Sequence, residues 1–254
     1  MWIVLAGALV IGLTLGLLGS GGSIMTVPIL VYLVGQPEKI AIASSLAIVG
    51  SISLIASLPF AHRGEVLWRQ VLWFGLAGMG GSFVGAHLAS YLPGALQLSL
   101  FACVMLVAAM RMARSTPVIV VARESPRARR LMLRDGVAVG LLTGVVGIGG
   151  GFLIVPALVL LGGLLMRQAI GTSLVLISLN AFSGFVTHAS TLTQLGLSLD
   201  GSVISQFIAI GSGGALLGQK LGERLPQQQL KRGFALMLVV MGAYMLWREA
   251  PRLF

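Results

Sequence analysis

Gly12-Leu-Thr-Leu-Gly16-Leu-Leu-Gly19-Ser-Gly21-Gly22, followed by Pro28, returns 128 residues later as Gly140-Leu-Leu-Thr-Gly144-Val-Val-Gly147-Ile-Gly149-Gly150, followed by Pro156. Both copies lie in apolar runs, residues 2–34 and 135–165. At about 1.5 Å per residue, each run is too long for one straight crossing of a hydrocarbon core roughly 30 Å thick. Each glycine costs a helix about 1 kcal/mol relative to alanine. Pro28 and Pro156 lack an N–H, so a carbonyl one turn earlier, near Ile24 or Phe152, loses its helical partner. An unbroken lipid-facing helix would not collect such residues. A broken one can, provided the freed backbone groups face protein or a polar cavity.

The same offset extends outward from the glycines. It carries Lys39 onto Arg167, and Ala43-Ser44-Ser45-Leu46 onto Gly171-Thr172-Ser173-Leu174. Further on, Gly80-Gly81-Ser-Phe-Val-Gly85 with Pro93 matches Gly213-Gly214-Ala-Leu-Leu-Gly218 with Pro226 at an offset of 133, so about five residues are inserted near 187–200. Apolar runs fall at about 2–34, 40–60, 66–90, 95–113, 135–165, 168–188, 201–219 and 230–248. The reading is an all-α polytopic membrane protein of about eight segments, built as two homologous four-segment repeats. The first segment of each repeat is broken or re-entrant at its glycine cluster. Residues 1–113 form the N-terminal repeat, 114–134 a basic linker and 135–254 the C-terminal repeat.

Composition agrees with this class. Of 254 residues, 57% are hydrophobic and 9% charged, and the mean hydropathy is +0.99, outside the range of a water-soluble domain. The 35 glycines follow no Gly-X-Y period, which excludes collagen. Seventeen Lys and Arg against seven Asp and Glu give +10. In a soluble protein that balance would raise nucleic-acid binding, but these cations cluster between apolar runs and no nucleic-acid motif accompanies them. The partners expected are the lipid bilayer and a small anion, with no nucleic acid; a homo-oligomer stays open.

Charge placement orients the repeats. If all eight segments simply cross, Lys and Arg divide 11 against 6 between the two sides; if both broken runs enter and leave on one side, they divide 14 against 3. The second arrangement fits the positive-inside rule better and makes the repeats inverted. Either way the linker, with Arg123, Arg127, Arg129 and Arg130, is cytoplasmic. The N-terminus has no positive n-region and reads as the first membrane segment instead of a cleaved signal peptide.

Chemistry is concentrated at the breaks. A helix that resumes after a break presents N–H groups without partners and a partial positive charge. It can hold an anion with no buried lysine or arginine, and glycine lets the backbone approach closely. The candidate substrate-binding residues are therefore Ser20, Gly21, Gly22 and Ser23 in the first copy and Gly149, Gly150 and Gly151 in the second. The hydroxyl pairs Ser44-Ser45 and Thr172-Ser173 can donate to an oxyanion and are cheap to bury when idle. Asn180, a single amide in an apolar run, is either a ligand contact or an interhelical clamp. The GxxxG spacings Gly12/Gly16, Gly140/Gly144, Gly81/Gly85 and Gly214/Gly218 read as helix packing.

Other chemistries lack material. Glu38, Glu65, Glu124, Asp135, Asp200, Glu223 and Glu249 all stand at segment ends or in loops, so no carboxylate is available for a midplane proton or sodium site. His62, His87 and His188 are near segment ends, and Cys103 is a lone cysteine within an apolar run. The sequence has neither a phosphate-binding G-x-x-x-x-G-K-[ST] nor H-E-x-x-H, and no metal or cofactor is expected. The enzyme alternative is an intramembrane serine hydrolase on Ser20 or Ser23, but Ile148 and Gly151 replace these in the second copy. The remaining alternative is a passive anion channel through the same breaks.

The paired stretches Gly16-Leu-Leu-Gly19-Ser-Gly21-Gly22 to Pro28 and Gly144-Val-Val-Gly147-Ile-Gly149-Gly150-Gly151 to Pro156, each followed by a hydroxyl pair, resemble the sulfite exporter TauE/SafE family, also called toluene-sulfonate uptake permeases. The resemblance runs from about residue 5 to 248. It implies a bacterial-type plasma-membrane transporter, not an enzyme, that carries small organic or inorganic sulfur anions such as sulfite, sulfonates or sulfoacetate. Read with the duplicated breaks, it implies an alternating-access carrier.

Overall fold

The computed structural model describes residues 2–89, 94–114, 126–146, 151–194 and 199–249. Among the described residues there is no strand, and ten α-helices follow one another: α1 (Trp2–Leu18), α2 (Gly21–Pro28), α3 (Glu38–His62), α4 (Trp68–Ala89), α5 (Gly94–Arg114), α6 (Pro126–Val146), α7 (Gly151–Leu160), α8 (Met166–Gln194), α9 (Gly201–Arg224) and α10 (Gln227–Glu249). A π-helical turn, Ile29–Leu33, continues α2. The stretches Ile40–His62, Met166–Phe185 and Gly201–Arg224 are long and apolar enough to cross a membrane. Large apolar side chains also face outward, with Phe83 80% and Trp247 77% exposed. Lipid solvates such a surface, whereas water would drive it to aggregate. The chain is a membrane protein.

Two compact units form. Unit 1 comprises Met1–Val66 and Ile170–Leu225, and unit 2 comprises Leu67–Ala169 and Pro226–Phe254. In unit 1, α1 lies against α9 with backbones nearly touching. A Cβ added to Gly12 would stand 2.0 Å from the Gly211 carbonyl oxygen, and one on Gly16 would stand 1.9 Å from that of Ala215. No side chain fits either place, which is why this face is glycine. After Gly19 and Ser20 the chain reverses, and α2 runs back along α1. Gly22 then abuts Ile11 and Leu15, and Ile29 reaches Gly7. Helices α3 and α8 are antiparallel, with Phe60 on Gly171, Gly50 on Ala181 and Phe182, and Leu46 on Gly184. Gln219 of α9 donates from Nε2 to the Ala56 carbonyl of α3, and Arg63 pairs with Glu223 where these two helices end.

In unit 2, α4 lies against α6. A Cβ added to Gly140 would stand 2.1 Å from the Gly78 carbonyl oxygen, and one on Gly81 would stand 2.3 Å from that of Val137. Helix α5 packs with α10, where Gly242 meets Leu106 and Ala102. The short helices of both units end in the same wide turn. Val34 N–H donates to Ile29 and Gln36 N–H to Leu30, each at 3.0 Å; Gly162 N–H donates to Ala157 and Leu164 N–H to Leu158, each at 3.1 Å. Gly35 (φ +78°) and Gly163 (φ +66°) supply the left-handed residue each turn requires. Pro28 and Pro156, one residue before each turn's first acceptor, withhold an N–H from the ordinary helical ladder.

Candidate functional site

Ser20 stands at the N-cap of α2. A serine there ordinarily accepts a hydrogen bond from one of the first helical N–H groups. Ser20 makes no such bond, its side chain is fully buried, and its Oγ has no other protein partner. Asp200, by contrast, seals the start of α9 by accepting from Ser202 N–H at 2.9 Å and Val203 N–H at 3.2 Å. The N-terminus of α2 is therefore left open in a buried place, with its leading N–H groups unpaired within the helix.

The reversal that exposes it depends on Gly19, whose φ of +80° disfavours any side chain. A Cβ on Gly19 would also stand 2.9 Å from Ser173 Oγ and 3.0 Å from Ile170 Cα. The start of α8 thus comes against the first break, and the hydroxyl pair beside it is Thr172-Ser173. Both are fully buried. Ser173 donates to the Ile170 carbonyl at 2.8 Å. Ser23 donates to the Ser20 carbonyl at 2.7 Å and Thr26 to that of Gly22 at 2.8 Å. Gly21 and Gly22 are buried, and the side of Gly22 is filled by α1.

The other candidates lie apart from this group. Ser44 and Ser45 are on α3, about 22 Å along the helix from Phe60, which meets Gly171 near the break. Ser45 donates to the Ile42 carbonyl at 2.7 Å, while Ser44 Oγ is buried without a partner. Asn180 is half-buried on α8. Gly151 opens α7 in unit 2 and is buried; Gly149 and Gly150 lie outside the described residues.

Sequence reasoning missed Ser53. It is fully buried on α3, and its hydroxyl has no partner. Its signal was faint, because at offset 128 its counterpart is Ala181 and the repeat does not single it out. The wider pattern is clear only in the fold. Of the eleven buried polar side chains among the described residues, Gln70 alone belongs to unit 2. Unit 1 thus combines an open helix N-terminus with hydroxyl donors and can present several hydrogen bonds to a small oxyanion.

Helices that turn apolar side chains outward and gather buried hydroxyls around a helix break define a polytopic membrane protein of the transporter class. Comparison with known proteins narrows the class. The family profile described as Sulfite exporter TauE/SafE matches residues 4–245, and the chain belongs to that family. A probable membrane transporter protein of Xylella fastidiosa (strain 9a5c) is 34% identical over 247 residues, covering 94% of this chain and 92% of its own length. Another, from Haemophilus influenzae, is 29% identical over 262 residues, with 95% and 96% covered. One from Methanocaldococcus jannaschii is 26% identical over 254 residues, with 94% of each covered.

Proposed function

We propose that the chain is an alternating-access carrier for small sulfur oxyanions such as sulfite, sulfonates or sulfoacetate. The observation that carries this is Ser20, a buried N-cap serine that caps nothing and so leaves a hydroxyl and the first N–H groups of α2 for a ligand. Gly21, Gly22 and Ser23 supply the backbone, and Thr172 and Ser173 the neighbouring hydroxyls. The repeat carries Gly21, Gly22 and Ser23 onto Gly149, Gly150 and Gly151, and Ser44-Ser45 onto Thr172-Ser173. Asn180 follows Ser173 by about two turns of α8.

The repeats, 1–113 and 135–254, are inverted across a bacterial-type plasma membrane, with the linker 114–134 in the cytoplasm. The matched glycine contacts and matched wide turns support the duplication. The return of α2 along α1, with Ile29 beside Gly7, supports a re-entrant first segment. Exchange of the repeats between two arrangements then exposes the site to each side in turn. Purified protein in proteoliposomes tests this. Saturable uptake of a sulfur anion with counterflow is expected. Linear flux for every anion would replace the carrier with a pore, and labelling of Ser20 or Ser23 by a serine-reactive phosphonate would replace it with a hydrolase.

A further inference from the structure

Three contacts fix the antiparallel register of α3 and α8: Phe60 on Gly171, Gly50 on Ala181 and Phe182, and Leu46 on Gly184. That register brings Ser53 level with Ser178. Leu46, Gly50, Ser53, Ser57 and Phe60 follow at steps of four and three, so Ser53 lies on the face of α3 turned to α8. Ser178 stands seven residues after Gly171 and three before Ala181, on the face of α8 turned to α3. Both serines are buried. The offset of 128 carries Gly50 onto Ser178 and Ser53 onto Ala181, so Ser53 and Ser178 are the repeat-related counterpart of the contact between Gly50 and Ala181.

A serine within a helix commonly bonds the carbonyl three or four residues back. Ser45 and Ser57 of α3 do so, each at 2.7 Å. Ser53, between them, has no partner. A second such hydroxyl stands at the same level of α9: Gly211 abuts Ile52, and Oγ of the next residue, Ser212, is buried and unpartnered. Ser212 lies seven residues before Gln219, which bonds the Ala56 carbonyl, and so shares the face of α9 turned to α3. Each unpartnered hydroxyl costs about 1–3 kcal/mol in a dry interior. In the apolar span Ile40–His62, Ser53 stands about 14 Å from the His62 end and about 20 Å from the other. The first break is nearer the His62 end, because Gly19 meets Ile170 and Phe60 meets Gly171. Ser53 and Ser212 lie deeper, near the middle of the span.

Helix α3 falls in residues 1–113 and α8 in residues 135–254, so their seam is a border between the two repeats. The α1–α9 border is locked by backbone against backbone, whereas α3 and α8 meet these glycines and Ala181 through side chains alone. The seam of side chains can part at lower cost, and parting it relieves the unpartnered hydroxyls. Transported anions are held near the midplane where repeats meet. We propose that the anion crosses the middle of the membrane between α3 and α8, and that Ser53 is the hydroxyl that receives it, with Ser178 opposite and Ser212 beside it on α9. The proposal rests on the carrier reading and adds a second, deeper station to the first break.

A lock on the seam tests the path. A Cβ on Gly50 would stand 3.3 Å from Ala181 Cβ, close to the roughly 3.5–4.5 Å that a disulfide spans. Gly50→Cys with Ala181→Cys, in a Cys103→Ser background, is reconstituted in proteoliposomes and oxidised with copper phenanthroline. Sulfoacetate and methanesulfonate are the probes, because sulfite cleaves disulfides. Oxidation should abolish flux and reduction restore it. Flux that persists in the oxidised protein overturns the path and leaves the carrier standing. No flux of these probes or of sulfite in the Cys103→Ser protein overturns the carrier reading itself.

Ser53→Ala tests the residue with all three anions. It removes an unpartnered hydroxyl, so the thermal midpoint should hold or rise while flux falls about tenfold. Ser57→Ala, whose hydroxyl is already given to the Leu54 carbonyl, should change flux less than about threefold. Unchanged flux in Ser53→Ala, or equal losses in the two variants, excludes Ser53 as the receiving hydroxyl.

Discussion

In unit 1 the Gly211 carbonyl stands 2.0 Å from where a Cβ on Gly12 would be; in unit 2 the Gly78 carbonyl stands 2.1 Å from the Cβ position of Gly140. The offsets 128 and 133 carry the first contact onto the second, as they carry the approach of Gly214 to Leu9 onto that of Gly81 to Val137. The hairpins that follow differ in chemistry. In unit 1 the short helix brings Ser20, Ser23 and Thr26; the residues at offset 128 are Ile148, Gly151 and Ile154. Close backbone contact needs only the absence of a side chain, so glycine satisfies it twice. A polar group must also find a partner or a ligand, and of these matched positions only those in unit 1 carry a hydroxyl.

The largest effect should come from the contact the two units share. Gly12→Leu and Gly140→Leu each drive a side chain into a carbonyl of the facing helix, with no flexible neighbour to give way. Each should cost more than about 3 kcal/mol and abolish the monodisperse species in detergent. Size-exclusion profiles of the two variants, read side by side, would break the equivalence if only one collapsed. Gly22→Leu belongs with this group, because its Cβ would meet the Ile11 carbonyl at 2.4 Å and Leu15 Cγ at 2.6 Å. Loss of transport in that variant would therefore report packing as much as the site.

Hydroxyl chemistry within unit 1, which the second hairpin lacks at the matched positions, should give a smaller effect. Ser20→Ala should weaken substrate binding about tenfold at no cost in stability, whereas Ser23→Ala removes a hydroxyl already spent on the Ser20 carbonyl and should change affinity less than about threefold. Ligand-induced thermal shifts measured on both variants check the contrast. Equal losses would mean that the two serines share the ligand and that the buried hydroxyl of Ser20 is not special.

How much of this the sequence disclosed depends on the kind of residue. The breaks and the close-packed faces were legible, because glycine and proline act on the backbone wherever they stand and their spacing repeats. The partners of those faces were not. Gly12 and Gly16 mark a face, but nothing in their spacing says that it meets α9, some 200 residues away. The hydroxyls were legible only as a group. Ser20 and Ser23 look alike in sequence, and what separates them is whether a carbonyl lies within reach once α2 has formed. Ser53 went unread because it has no hydroxyl counterpart in the other repeat, and its burial is set by α3 packing between distant helices.

Gln219 sharpens the comparison further. Its amide ties α9 to the Ala56 carbonyl within unit 1, and the residue at the matching place on α4 is Ala86. Interhelical hydrogen bonds in membranes average about 0.6 kcal/mol and reach about 1.7. Gln219→Ala should therefore lower the thermal midpoint by a few degrees and leave anion selectivity unchanged. A change in selectivity would place this amide on the substrate path.

The smallest effect is expected at the ends of α3 and α9, where unit 1 carries the Arg63–Glu223 pair. The hydrogen bond to Glu223 holds the Arg63 guanidinium above its ordinary pKa. A cation whose pKa is raised on folding contributes its stability below the unfolded value and loses it only as pH climbs through the folded one. For arginine both lie far above neutrality, so this contribution is constant from neutral to mildly alkaline pH. The side chains are 47% and 33% exposed, so water and salt screen the pair. Glu223→Gln should cost less than about 1 kcal/mol, and less still at high salt. Melting curves of wild type and variant at low and high ionic strength give the difference. A large, salt-independent loss would mean that the pair is shielded and fixes α9 against α3, as Gln219 does one helical turn earlier.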